Sequence, residues 1–144
     1  MALPVLMQAG SGSAIESIAQ HVGSYIRGTY ILNGAYRDAG VSAAEKSATA
    51  FEQQIEQRSI WLQGEGLKAW NGANLQAMAR FMDSCGGFAA LEKAVGNRQP
   101  QDATLQDELS SLFVGQDVLV SHAWQVLLGA AVLFENGQLT AACR

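Results

Sequence analysis

An all-α fold, a helical bundle gathered around one apolar helix near residues 117–135, is what this sequence predicts. Three observations carry that expectation. The stretch Val118 to Phe134, VLVSHAWQVLLGAAVLF, holds thirteen apolar residues among its seventeen, the exceptions being Ser121, His122, Gln125 and Gly129. Two capping-box patterns, Ser13–Glu16 and Ser42–Glu45, each precede apolar residues at helical spacing. No stretch of useful length alternates apolar and polar residues in the manner of a strand.

The apolar residues of 118–134 fall on every side of a helix, so no face is left for water. Such a helix is either central in a packed core or embedded in lipid. At about 1.5 Å per residue it spans roughly 25 Å, short of the ~30 Å hydrocarbon layer, which favours the core. Asp117 is placed to cap its start, and Asn136-Gly137 to end it in the left-handed conformation. Trp124, Leu127, Leu128 and Val132 are its expected buried members.

The elements before it follow in order. Leu3-Pro4-Val5-Leu6-Met7 is a sticky arm, and Gly10-Ser11-Gly12 a flexible hinge behind it. Ile15, Ile18, Ala19, Val22, Tyr25 and Ile26 then recur at helical spacing. Gly23, Gly28 and Gly34 either permit close helix approach or mark breaks near Gly28 and Gly34. Tyr25, Tyr30 and Tyr36 read as core or interface aromatics, and Asp38-Ala39-Gly40 ends the segment. The second helix is the clearest, with Val41, Ala44, Ala48, Phe51, Ile55 and Leu62 forming a bundle-type stripe that Ile60 and Trp61 widen. Gly64-Glu65-Gly66 breaks it. A third helix is expected from about Leu67 to Cys85, with Asn71-Gly72 as a kink. Gly86-Gly87 ends it as a turn, since neither phosphate-loop context is present. FAALEKAV forms a short helix up to Gly96-Asn97, and the polar stretch 97–104 is a loop around Pro100. Residues 105–114 form one more helix before Gly115-Gln116. Two units result: residues 1–40, an N-terminal arm and helical segment, and residues 41–144, a helical bundle.

Charged residues make up 15% of the 144, below the ~25% usual in soluble domains, while apolar residues reach 49%. That deficit suggests apolar surface completed by other copies or by a partner. The net charge is −4, and the nine Lys and Arg are scattered without a run, which disfavours nucleic-acid binding. The opening MALPVLMQAG lacks the basic residue and the length of a secretory signal. The chain is therefore expected to work inside a cell or in a particle assembled there.

No residue set identifies a catalytic reaction, so no catalytic, cofactor-binding or metal-ligating residue is assigned. Cys85 and Cys143 show no metal-ligand spacing and read as free, buried thiols, although an oxidising setting would permit a disulfide. His122 reads as a hydrogen-bonded core or interface histidine, because Ser121 lies about 100° around the helix from it. A Cys85–His122 nucleophile has no support beyond composition, and His21 carries no motif. Glu52, Glu56 and Arg58 read as a solvated face. Trp61, Trp70 and Trp124 are bundle-core residues by default, the first two also being interface candidates.

Met1, Leu3-Pro4-Val5 and Ala14-Ile15-Glu16-Ser17, with Ala79-Arg80-Phe81 followed by Gly86-Gly87, resemble the outer nucleocapsid shell protein of cystoviruses, the enveloped double-stranded RNA bacteriophages. The likeness covers about a fifth of the chain and excludes segment 117–135 and both cysteines. It implies an α-helical shell subunit that forms trimers by exchanging helices between neighbours and tiles a lattice around the polymerase core, beneath the envelope. Contact with other virion proteins or a membrane surface, and a dependence on calcium, are also implied, but no calcium ligand can be assigned here. Low charge, an apolar arm and glycine hinges independently suit an assembly protein. The expectation is a structural, self-assembling, non-enzymatic subunit of a bacteriophage virion, assembled in the host cytoplasm. The alternatives are a small bacterial helical protein that binds a partner, chaperone- or immunity-like, and an enzyme with a dispersed site.

Overall fold

The structure, a computed structural model, describes residues 11–32, 40–57, 72–96 and 117–143. These form five helices and no strand: α1 (Ser11–Leu32), α2 (Gly40–Gln57), α3 (Gly72–Cys85), α4 (Phe88–Gly96) and α5 (Val118–Glu135). The apolar arm, Gly34, Tyr36, Arg58, Trp61, the Gly64–Gly66 break, Trp70 and residues 97–116 lie outside the described residues.

The bundle is all-α and α5 is its central helix. Val120, Ala123, Trp124, Val126, Leu127, Leu128, Ala130, Ala131 and Leu133 are all buried, and α5 touches each of the other four described helices. By length and apolarity alone α5 could cross a membrane, yet 61% of it is buried inside the bundle. Val132, expected in the core, is only partly buried. Val118, at the solvent end of the first turn, is 71% exposed.

Both ends of α5 are set by local chemistry. The Asp117 carboxylate accepts from the backbone N–H of Leu119 at 2.8 Å and of Val120 at 3.4 Å, satisfying first-turn donors that have no partner within the helix. At the other end Gly137 is left-handed, with φ +74. Its N–H donates to Phe134 O at 3.1 Å, and Gln138 N–H donates to Leu133 O at 2.8 Å. This paired reach-back is the Schellman motif, and buried Leu139 follows it as an apolar plug. Here it is Gly137, not Asn136, that takes the left-handed conformation.

The remaining helices wrap α5 with apolar stripes. Ala44, Ala48, Phe51 and Ile55 recur on α2 at alternating four- and three-residue steps and are buried. Leu75, Met78, Ala79 and Met82 do the same on α3, and Phe88, Leu91 and Val95 on α4. Helix α1 supplies Ala14, Ile15, Ile18, Val22 and Ile26 to this one core, with Glu16, Gln20 and Ser24 facing water. Like α5, it touches every other described helix.

Several helix boundaries differ from expectation. Helix α1 already includes Ser11 and Gly12, so these are not a hinge, and Ser13 lies inside the first turn rather than at the cap. Helix α2 likewise begins by Gly40, ahead of Ser42. The first buried apolar residues, Ala14 and Ile15 in α1 and Ala44 in α2, follow the serines rather than precede them. No break occurs at Gly28. One helical glycine costs about 1 kcal/mol, which the burial of Ile26 and the Arg27 ion pairs immediately before it offset. Gly23 does serve close approach: a Cβ there would collide with the Glu52 carboxylate of α2.

The turn between α3 and α4 needs its two glycines. Gly86 and Gly87 have φ of +114 and +85, where a side chain is strained. Gly87 N–H donates to Met82 O at 2.8 Å, closing α3, while Gly87 O accepts from Leu91 N–H at 3.4 Å, opening α4.

The Trp124 side chain is fully buried, packs on Phe51 with ring centroids 5.1 Å apart, and donates its indole N–H to Gln54 Oε1 at 2.9 Å. Trp124→Ala should therefore cost about 3–5 kcal/mol in urea unfolding. A loss below about 1 kcal/mol would remove α5 from the centre of the bundle.

Candidate functional site

Polar side chains in this bundle gather where helices cross. His122, on the second turn of α5, lies with Nε2 2.5 Å from Glu92 Oε2 of α4. The same carboxylate oxygen accepts from the Tyr25 hydroxyl of α1 at 3.0 Å. The Tyr25 ring stands edge-on to Phe88, centroids 4.7 Å apart. Burial, reinforced by the hydrogen bond to Glu92 and its negative charge, raises the Tyr25 pKa above 10. Three helices thus meet on one half-buried carboxylate. His122 is hydrogen-bonded as expected, and at 38% exposure it sits at the rim of the core rather than within it. With Nε2 turned to a carboxylate, that nitrogen carries the proton and cannot accept one.

A second cluster joins α1 to α3. Asp83 Oδ1 accepts from the Ser17 hydroxyl at 3.1 Å and lies 2.7 Å from His21 Nε2. The hydrogen bond from His21 holds the Asp83 carboxyl below the usual carboxylate range, against a small opposing effect of burial and with help from Ser17. The order is serine–aspartate–histidine. A nucleophilic triad needs the imidazole between hydroxyl and carboxylate, so the Ser17 oxygen is not activated.

The third cluster ties α1 to α2. Arg27 Nε donates to Glu45 Oε2 at 2.6 Å, and Nη1 and Nη2 each donate to Glu52 at 3.3 Å. The bonds to Glu45 and then Glu52 hold the guanidinium yet more firmly protonated. Glu52 is therefore not a solvated residue, contrary to expectation: the space left by Gly23 lets its carboxylate lie against α1 and meet Arg27. Glu56 is exposed as expected.

The cysteines are free, but the expectation of buried thiols is overturned. Cys85 is half-buried and Cys143 exposed, because α3 ends at Cys85 beside a turn and Cys143 lies on the tail beyond α5. Cys85 interacts with Cys143, and His122 is bonded to Glu92, so the fold does not assemble the Cys85–His122 pair considered from sequence. Among the described residues no three His, Cys, Asp or Glu side chains are grouped to hold a metal ion.

Sequence reasoning singled out His122 but missed Asp83, Glu92 and Arg27. Their partners lie 62, 67 and 25 residues away, and nothing local marks such pairs. What these clusters do chemically is brace helices, since each carboxylate is already occupied by donors from the protein. No protein-family model, curated protein or solved structure matches the chain.

Two measurements follow from these contacts. In a titration read by phenolate absorbance, the Tyr25 contribution, isolated by difference from Tyr25→Phe, should ionise above pH 10, and Glu92→Gln should bring it down. The Asp83 pKa is depressed in the folded state, so its stabilisation is present above the ordinary carboxylate range and lost as pH falls through the depressed value. Asp83→Asn should cost up to about 1 kcal/mol at neutral pH, with the gap to wild type closing in acid.

Proposed function

We propose that the chain is a structural, self-assembling subunit of the kind that builds the outer nucleocapsid shell of cystoviruses. It would work in the virion after assembly in the host cytoplasm. The observation that carries this reading is the meeting of the two internal segments that bear the resemblance. Ala14–Ser17 lies on the first turns of α1, and Ala79–Phe81 lies on α3 just ahead of Gly86-Gly87. Ser17 donates to Asp83, two residues beyond Phe81, so residues 66 apart in sequence form one interface between α1 and α3. A likeness confined to common residues gains weight when its parts pack together.

The architecture supports the same reading. Helix α1 packs more extensively on α2 than on any other helix, through a stripe that would serve equally well between neighbouring subunits. A helix would be exchanged across Gly34–Gly40 or across Gly64–Gly66, and the exchange of α1 across the first would preserve the Arg27 contacts to Glu45 and Glu52. Low charge leaves surface for neighbours to cover. No catalytic role is assigned. Calcium, other virion proteins and a membrane surface remain implied by the resemblance alone.

Sedimentation or light scattering at micromolar concentration, with and without calcium, tests the proposal. Trimers or larger species are expected, weakened when residues 1–10 are removed. A monomer under all these conditions would overturn it and favour a partner-binding protein.

A further inference from the structure

The two cysteines are 58 positions apart, yet the fold returns one to the other. Cys85 is the last residue of α3, immediately before the Gly86-Gly87 turn. The tail leaves α5 through the Gly137 reversal and is pegged by buried Leu139. The end of α5 also lies on α3 within one turn of Cys85, with the Phe81 and Phe134 rings edge-to-face at 6.2 Å. This brings the exposed Cys143 thiol near enough to the half-buried Cys85 thiol for the two to interact. Beyond Leu139 the tail has no helical backbone to hold Cys143 away from disulfide geometry.

We propose that Cys85 and Cys143 form a reversible disulfide that clips the C-terminal tail to the α3–α4 turn when the protein meets a small-molecule disulfide oxidant such as oxidised glutathione. The inference stands apart from the proposed function. Cys143, the exposed thiol, reacts first: its thiolate attacks the oxidant, forming a mixed disulfide and releasing one glutathione thiolate. Cys85 then loses its proton to solvent, and its thiolate attacks the Cys143 sulfur, forming the protein disulfide and expelling the second glutathione. Two protein thiols are oxidised by two electrons, and one oxidised glutathione becomes two reduced ones. Burial, with the charge of Cys143, pushes the Cys85 thiol up to about 11, which disfavours it as the first nucleophile; its attack on the mixed disulfide is aided instead by being intramolecular.

The test is oxidation of the folded chain with glutathione disulfide, followed by intact mass, thiol titration and peptide mapping. Wild type should lose both thiols, become lighter by two hydrogens, yield one peptide joining Cys85 to Cys143, and revert with dithiothreitol. Cys85→Ser should stop at a stable glutathione adduct on Cys143. The bridge should close faster in the folded chain than in urea, and the oxidised form should melt several degrees higher, since the link closes a long loop. A persistent adduct in wild type, a disulfide between chains instead of within one, or closure no faster than in the unfolded chain would overturn the proposal.

Discussion

A helix with no polar face dictates the rest of this molecule. Helix α5 can meet water along almost none of its length, so four other helices must surround it, and its few polar groups must find partners among them. Each does. The Asp117 cap accepts from Ser47, a buried hydroxyl on α2, at 3.1 Å. The Trp124 indole donates to Gln54 on the same helix, and the His122 imidazole meets Glu92 on α4. These bonds do more than offset desolvation. Apolar packing permits a helix to slide or rotate at small cost, whereas a directional bond to a named partner admits one register. The apolar surface drives the assembly of the bundle, and the polar groups select its arrangement.

What could be read in the sequence follows from whether a signal is local. The central helix, its aspartate cap, its left-handed terminus and the paired-glycine turn were all legible, because each depends on residues within one or two turns. Helix starts were less so. Ser13 and Ser42 satisfy the capping pattern, yet both helices already include residues ahead of them. The importance of α1 was not legible either. Its stripe resembles that of any surface helix, and only the packing shows it reaching every other helix. Glu52 looked solvated because its partner, Arg27, belongs to another helix, and because a glycine on that helix makes the room.

The clusters are unevenly distributed. Arg27, Tyr25, His21 and Ser17 all project from α1, at intervals of two to four residues, toward α2, α4 and α3. Ser17, His21 and Tyr25, four residues apart, make one flank of α1 a polar seam beside its apolar stripe, while Arg27, about 200° further round from Tyr25, lies on the other flank facing α2. The resemblance to a shell protein falls on this helix and on the α3 segment that its seam meets. In the helix exchange proposed above, such an element would bring its own specificity with it.

The two helices that touch all the others are also the first and the last described along the chain. A ribosome delivers α1 long before α5, so the residues of α1 wait through the synthesis of everything between before their core can close. The contacts between α1 and α5 span most of the sequence, although α1 packs most extensively on its sequence neighbour α2. Until α5 emerges, the apolar side chains that α1 to α4 turn toward it have no partner, so the centre of the core closes late. Newly made chains would then be at their stickiest just before completion, when the partners they meet are other unfinished copies of themselves.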